Sequence, residues 1–346
     1  MASEKGRLWF HVASVGEFNT AKPLLKRLYP TYHITLTYFS FRAKEYLSSQ
    51  RGKGYFHQLY RVPPDLPPWV LSFEKRVNPD LILVMERELW PSLLLFTKKP
   101  KIWINAYAKG GLFERLLSKR LSLIIAREDT DAEAFRAYGC GEVHACGNLK
   151  FVLERPPTVE LDIQNELIIV AGSTHEGEEE LLRDVFDRVK REFKNLKLIV
   201  APRHLSRVKE VATLFEGFKV SFRKGGDSDW DVLIVDTLGE LFSLYAFGKA
   251  TVVGGTFVPV GGHNLLEPAY FGKPVLYGPY THKVEDLRRF LEQKGLGFCV
   301  KDKEELYQSL RGILTKDESQ EVFSLKAYSQ KVLDCYLSHL RKWLEV

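Results

Sequence analysis

Short, mostly apolar runs alternate with amphipathic stretches along the whole chain, and the alternation restarts once. In the first half the runs are 8–13, 34–37, 81–85, 102–106, 123–126 and 143–146. Several of these are continuous rather than alternating, as suits strands covered on both faces in parallel sheets. Helical patterns at 20–28, 91–97, 113–118 and 130–138 fill the intervals. After the stiff break at Pro156-Pro157 come strand candidates 167–171, 198–201, 232–235, 251–253 and 275–277, with a helix over about 176–193. Two α/β halves follow, each a doubly wound parallel sheet.

Length agrees, since 346 residues exceed what one core usually serves. The expected division is 1–157, 158–318 and a charged helical segment, 319–346. No eighteen-residue apolar run is present, and Met1 to Gly6 is polar, without a signal-peptide pattern. Cys140, Cys146, Cys299 and Cys335 form no CxxC pair and no even framework, which predicts free thiols in a reducing compartment. Charge is uneven. Residues 1–158 hold 24 Lys/Arg against 15 Asp/Glu, a net of +9, whereas 159–346 hold 26 against 29, a net of −3. The basic half suits an anionic surface, and no nucleic-acid-binding module accompanies the charge.

Gly254-Gly255-Thr256-Phe257-Val258-Pro259-Val260-Gly261-Gly262-His263-Asn264-Leu265-Leu266-Glu267-Pro268 follows the run 251–253. Its four glycines are expected to let the backbone approach a ligand, with Asn264 capping a helix whose N–H groups face a phosphate. Glu267 is then placed to accept hydrogen bonds from ribose hydroxyls. An ordinary capped turn is the alternative.

Gly-Gly-His-Asn-x-x-Glu-Pro, followed by Gly272-Lys273-Pro274-Val275-Leu276-Tyr277-Gly278-Pro279, resembles the donor loop of the Kdo transferases. Five further segments match in order: Ala13-Ser14-Val15-Gly16-Glu17, Glu86-Arg87-Glu88-Leu89-Trp90-Pro91, Gly147-Asn148-Leu149-Lys150, Gly172-Ser173-Thr174-His175-Glu176-Gly177-Glu178 and Pro202-Arg203-His204. The resemblance implies transfer of 3-deoxy-D-manno-octulosonic acid (Kdo) from CMP-Kdo to a lipid A precursor in lipopolysaccharide core biosynthesis. Two Rossmann-like domains with parallel sheets facing a cleft make the expected fold GT-B. The resemblance also implies that the terminal helix returns to the first domain. Family members commonly carry an apolar N-terminal anchor, and only Met1 to Arg7 precede the first strand here. Either an anchor has been removed, or attachment to the cytoplasmic face of the inner membrane is peripheral, through basic residues with Tyr38, Phe39 and Phe41 among them.

Glu17 lies just past a strand tip, ahead of a helix that Asn19 or Thr20 would start, and it matches the family's catalytic base. A glutamate complementing a helix dipole is the competing explanation. Glu86 ends the run 81–85 and resembles a residue supporting acceptor or transition state. Glu88 and Arg87 could pair with each other or with neighbours. Lys150, just before the break at Pro156-Pro157, could contact either the phosphate or the Kdo carboxylate. Pro202-Arg203 ends another strand, where a guanidinium suits a phosphate. Ser173 and Thr174 could bind an anion, although Ser173 with Glu176 also reads as a capping box. Leu238, Gly239 and Glu240 could meet the cytosine through backbone groups, and Asn264, Leu265, Leu266 and Glu267 complete the expected donor site.

Two motifs fail. His175-Glu176 begins an HExxH pattern, but residue 179 is Glu, and Asp227-Ser228-Asp229 lies at the wrong strand end for a catalytic metal. No metal or other cofactor is expected. A GT-B enzyme using a UDP-sugar, as transferase or epimerase, is the nearest rival, and an inactive nucleotide-sugar binder is a rival of another class.

Overall fold

A computed structural model describes residues 6–226, 229–316 and 323–344. The chain divides into two compact units, one of Met1–Glu154 with Ala327–Val346 and one of Arg155–Lys326. The expected start of the terminal segment at 319, residues 345–346, Met1 to Lys5 and Asp227-Ser228 lie outside the described residues.

The first unit is built on β1 (Arg7–Val12), β2 (His33–Tyr38), β3 (Gln58–Arg61), β4 (Leu81–Met85), β5 (Lys101–Ala106), β6 (Leu123–Ala126) and β7 (Val143–Ala145). They form one parallel sheet in the order β3-β2-β1-β4-β5-β6-β7. Alternate residues serve opposite layers, as the strand period of two requires. Leu8, Phe10, Leu81, Leu83 and Ile104 pack under the helices Val15–Leu28 and Leu325–Leu344, the latter through Val332, Tyr336 and Leu340. Trp9, Ile82 and Val84 face the other way, against Val70, Phe73 and Leu93.

The second unit holds β8 (Leu167–Thr174), β9 (Leu196–Pro202), β10 (Val220–Phe222), β11 (Val232–Ile234), β12 (Ala250–Val253), β13 (Val275–Tyr277) and β14 (Gly297–Cys299). Its parallel sheet runs β10-β11-β9-β8-β12-β13-β14.

Several local expectations are corrected. Edge strands β3, β10 and β14, and helices such as Pro67–Val77 and Lys303–Thr315, were not apparent from apolar runs. The edge strands are short and partly exposed, so they lack the unbroken apolar pattern. The first helix starts at Val15, capped by Ser14, whose Oγ accepts the Glu17 N–H at 3.3 Å, and it carries Pro23 in its interior. The helix Glu178–Glu192 is closed by Gly177 and Glu180, with Gly177 N–H donating to Glu180 Oε2 at 3.0 Å. No Ser173–Glu176 capping box forms, because Ser173 still belongs to β8, at a register shift with φ of 56°.

The cysteine expectation also fails, since Cys146 and Cys335 are joined by a disulfide with Cα atoms 5.5 Å apart. The sequence separation of 189 hides the pair, and only the docking of the C-terminal helix beside the end of β7 brings the residues together.

Candidate active site

In the first unit, carboxylates gather where β1 and β4 end. Glu17 is the third residue of its helix, and its Oε2 accepts the Ala13 N–H at 2.7 Å, closing the turn between β1 and helix. Its position thus combines a structural role with access, for the residue is only partly buried. Burial pushes its pKa from 4.5 up to about 8 against the pull of the Ala13 N–H, and the charges of Glu88 and Glu86 add to the rise. A carboxyl that titrates near neutrality is suited to taking a proton.

Glu86 follows β4 in the left-handed region, at φ 49°. Its N–H donates to Ile104 O at 3.0 Å, its carbonyl accepts from the Trp103 indole, and its Oε1 accepts from Asn105 Nδ2 at 3.4 Å. Such backbone strain in a non-glycine residue persists where surrounding bonds over-determine it. Asn105 is fully buried, also left-handed at φ 52°, and its Oδ1 accepts the Leu149 N–H at 2.9 Å. It thereby ties Glu86 to the turn Leu149–Phe151, on which Lys150 is exposed.

Arg87 and Glu88 do not pair with each other. Arg87 meets the buried Glu114 at 2.7 Å, which also accepts the Gly110 N–H at 3.0 Å. Glu88 accepts from Trp90 Nε1 at 2.8 Å and faces His11 Nε2 at 3.5 Å. His11 is fully buried, with Nδ1 2.9 Å from the Thr37 hydroxyl. Asn105, His11 and Glu114 were missed from sequence. For the first two, one signal existed: a polar residue inside a buried apolar run.

In the second unit the glycine loop is occupied by the protein itself. Glu178 is 1 % exposed, and its carboxylate accepts four backbone N–H groups. They come from His175 at 2.9 Å, Gly255 at 2.8 Å, Thr256 at 3.1 Å and Phe257 at 2.9 Å. The anion at these donors is therefore an internal carboxylate, so the N–H groups of Gly255, Thr256 and Phe257 are not open to a ligand. The Gly254 N–H is likewise taken, by Gly172 O at 2.8 Å. A Cβ on Gly254 would lie 2.4 Å from Ser173 O and 2.7 Å from Glu178 Oε2, so the glycine makes room for the chain's own atoms.

Around this frame lies a group of basic and imidazole side chains. His175 Nε2 and His263 Nε2 are 2.8 Å apart, and His204 stands edge-on to His175. Burial holds His263 down to about 4, helped by His175 and by the nearby Arg203 charge, and His175 is lowered for the same leading reason. Two neutral rings can share one proton without repulsion. Arg203 is exposed just past β9, with its N–H on Thr174 O at 2.9 Å, and it makes no ion pair among the described residues.

The other expected donor residues are placed as follows. Ser173 is partly exposed, while Pro202 and Thr174 are buried, so the Thr174 hydroxyl is not available to a ligand. Leu265 and Leu266 are buried too, which leaves them only backbone roles. Asn264 Oδ1 accepts the Leu266 N–H at 3.1 Å, and its Nδ2 donates to Glu267 Oε1 at 3.2 Å. The helix it precedes, Leu266–Tyr270, has only five residues, far weaker as a dipole than the expected site required. Burial raises the Glu267 carboxyl despite that bond. Leu238 is 83 % exposed, Gly239 takes φ 84°, and Glu240 is engaged by Arg223 at 3.1 Å and by the Thr237 hydroxyl.

Comparison with solved structures places the fold among GT-B proteins. MurG of Acinetobacter baumannii superposes with a TM-score of 0.54 at 12% identity, covering 97% of this chain and 99% of that one. A UDP-N-acetylglucosamine 2-epimerase gives 0.55 at 15% identity, covering 99% and 97%. Sequence relatives are far nearer. A family model described as 3-Deoxy-D-manno-octulosonic-acid transferase (kdotransferase) matches residues 1–153. The 3-deoxy-D-manno-octulosonic acid transferase of Haemophilus influenzae is 30% identical, over 98% of this chain and 87% of its own length. The protein of the same description from Aquifex aeolicus is 46% identical, over 98% of this chain and 94% of its own. With identity of that degree along nearly the whole of both chains, this chain belongs to the 3-deoxy-D-manno-octulosonic acid transferase family.

Proposed function

We propose that this chain is an inverting Kdo transferase, moving Kdo from CMP-Kdo to a lipid A precursor, lipid IVA, in lipopolysaccharide core biosynthesis. The observation that carries this is Glu17, a partly buried carboxyl poised at about 8 beside Glu86 and Glu88. Glu17 takes the proton of a glucosamine hydroxyl as that oxygen attacks the anomeric carbon. Glu86, fixed by Asn105, supports the acceptor or the developing oxocarbenium charge, and Lys150 meets phosphate or Kdo carboxylate. The departing CMP phosphate is met by Arg203 and the adjacent imidazoles rather than by loop N–H groups, which Glu178 already holds. No divalent ion is needed for this charge balance.

One acyl chain of the acceptor fits a cavity of about 620 Å³ in the first unit, lined by Phe39, Trp69, Phe73 and Trp90 with Arg61 and Arg76. Trp90 joins that cavity to Glu88. Attachment to the cytoplasmic face of the inner membrane is peripheral in this scheme, and no described helix is long and apolar enough to cross a membrane. Tyr38 is buried and takes no part, whereas Phe39 and Phe41 are exposed. A stronger apolar surface lies on the helices Pro91–Phe96 and Leu112–Ser118, where Leu95, Phe96, Leu112, Phe113 and Leu116 are 47–73 % exposed near Lys98, Lys99 and Arg115.

The test is incubation with CMP-Kdo and a tetra-acylated lipid A precursor in the presence of a chelator, followed by mass spectrometry. Addition of Kdo mass units is expected. Absence of product, dependence on added Mg²⁺, or transfer from a UDP-sugar instead would contradict the proposal.

A further inference from the structure

Strand β7 and the C-terminal helix meet in a second cluster of side chains, distinct from the carboxylates and the imidazoles above. His144 and Cys146 are two residues apart at the end of β7, so they share a strand face. Cys335 and His339 are four apart on the helix Leu325–Leu344, so they share a helix face. The sulfurs of Cys146 and Cys335 and a ring nitrogen of His339 all lie within 4.8 Å of one another. A Glu142 oxygen and ring nitrogens of His144 and His339 form an equally tight group. His339 belongs to both, and its ring stacks on His144 with centroids 3.8 Å apart.

Tetrahedral zinc sites use Zn–S bonds of about 2.3 Å and Zn–N bonds of about 2.0–2.1 Å, which puts ligand atoms roughly 3.3–3.8 Å apart. Reaching those distances requires the two bonded sulfurs to part and the His144 ring to turn from its stack on His339. We propose that, once the Cys146–Cys335 disulfide is reduced, Cys146, Cys335, His339 and His144 form a structural site for zinc or a similar divalent cation. Metal and disulfide are then alternative clasps for the same helix.

The chemistry balances. A dithiol reductant supplies two electrons and two protons, the Cys146–Cys335 bond breaks to two thiols, and the dithiol leaves as its own disulfide. Each cysteine thiol then releases its proton to solvent as its sulfur binds the cation. His144 leaves its stack on His339 and its 3.5 Å contact with Glu142, and Glu142 keeps Lys342 at 2.8 Å. Cys146 is largely buried, so a bound ion is sheltered on that side. The clasp has a consequence for the active site. Cys146 adjoins Gly147, whose carbonyl accepts the Tyr336 hydroxyl at 3.1 Å, and the same turn continues to Leu149 on Asn105.

Cobalt titration of the full chain tests this. The protein is reduced with a dithiol, freed of it anaerobically, and titrated with Co²⁺ beside the oxidised protein. One equivalent should bind to the reduced form with intense tetrahedral d–d bands and a thiolate charge-transfer band, displaced by Zn²⁺. The oxidised form should show neither. Zinc should raise the melting temperature of the reduced form only. Cys335→Ser should weaken both binding and the charge-transfer band, since only Cys146 then supplies a thiolate, and His339→Gln should weaken binding about tenfold or more, at least the effect of losing an outer-shell partner. Reduced parent protein that binds no cobalt, or binds it without the thiolate band, overturns the proposal, as does parent-like affinity in Cys335→Ser.

Discussion

Replacing Glu178 with glutamine should cost the second unit a large part of its stability. The carboxylate serves four buried N–H donors, two on each oxygen: His175 and Gly255 on Oε2, Thr256 and Phe257 on Oε1. Glutamine keeps one acceptor oxygen and turns an NH₂ group toward the other two donors. Two buried N–H groups left without acceptors cost about 1–3 kcal/mol each, and weakening the two charge-assisted bonds adds roughly 1 kcal/mol. The total is about 3–7 kcal/mol, against a typical domain stability of about 5–15 kcal/mol. For a unit of this size, Arg155–Lys326, each kcal/mol moves the melting temperature by about 2–4 °C, so the loss should be roughly 6–28 °C. Differential scanning calorimetry with and without CMP measures it, and CMP binding should fall because Ser173, His175 and His263 hang on this loop. A loss under about 3 °C with CMP affinity unchanged would refute the assignment of Glu178 as the anion that organises the loop.

Arg203→Ala should weaken CMP binding by about 1.5–3 kcal/mol, the range of a charge-assisted bond, and unchanged affinity by calorimetry removes Arg203 from the site. Glu17 should make stability fall with pH, because its pKa is raised from 4.5 to about 8 in the folded state. The contribution is full below about 4.5 and lost as pH rises through about 8, so Glu17→Gln should show a flatter melting-temperature profile across that window. Identical profiles would contradict the raised value. Phe113→Ser should weaken binding to anionic vesicles by about 1.5–3 kcal/mol, roughly ten- to hundredfold, if the residue inserts into the interface. Co-sedimentation insensitive to that change, to salt and to lipid charge counts against the membrane face.

The central strands were legible because both faces are covered: 81–85, 123–126 and 275–277 coincide with β4, β6 and β13. Of the edge strands β7 was legible as 143–146, but β3 and β14 were not, since they expose much of their length and offer no unbroken apolar run. The ordered motifs fall at the ends of strands, as expected, but several of their internal bonds differ from those expected. Nothing local to Glu178 shows that its partners sit 77 to 79 residues away, nor that Cys146 meets Cys335 across 189. The Ser173–Glu176 spacing pointed to a cap that β8 overrides by extending through Thr174. Glu17 was placed correctly past the tip of β1, yet the helix began five residues before Thr20, because Ser14 was the stronger cap.

The most direct test compares the parent and Glu17→Gln in single turnover with CMP-Kdo and a tetra-acylated lipid A precursor, with CMP affinity measured on the same samples. The parent should transfer Kdo with a rate that climbs toward pH 8 as Glu17 loses its proton. The variant should be about 10²–10⁴-fold slower, without that climb and with CMP affinity retained. Turnover of the variant within about threefold of the parent, well short of that range, would contradict Glu17 as the base, and a parent that transfers no Kdo would contradict the function itself.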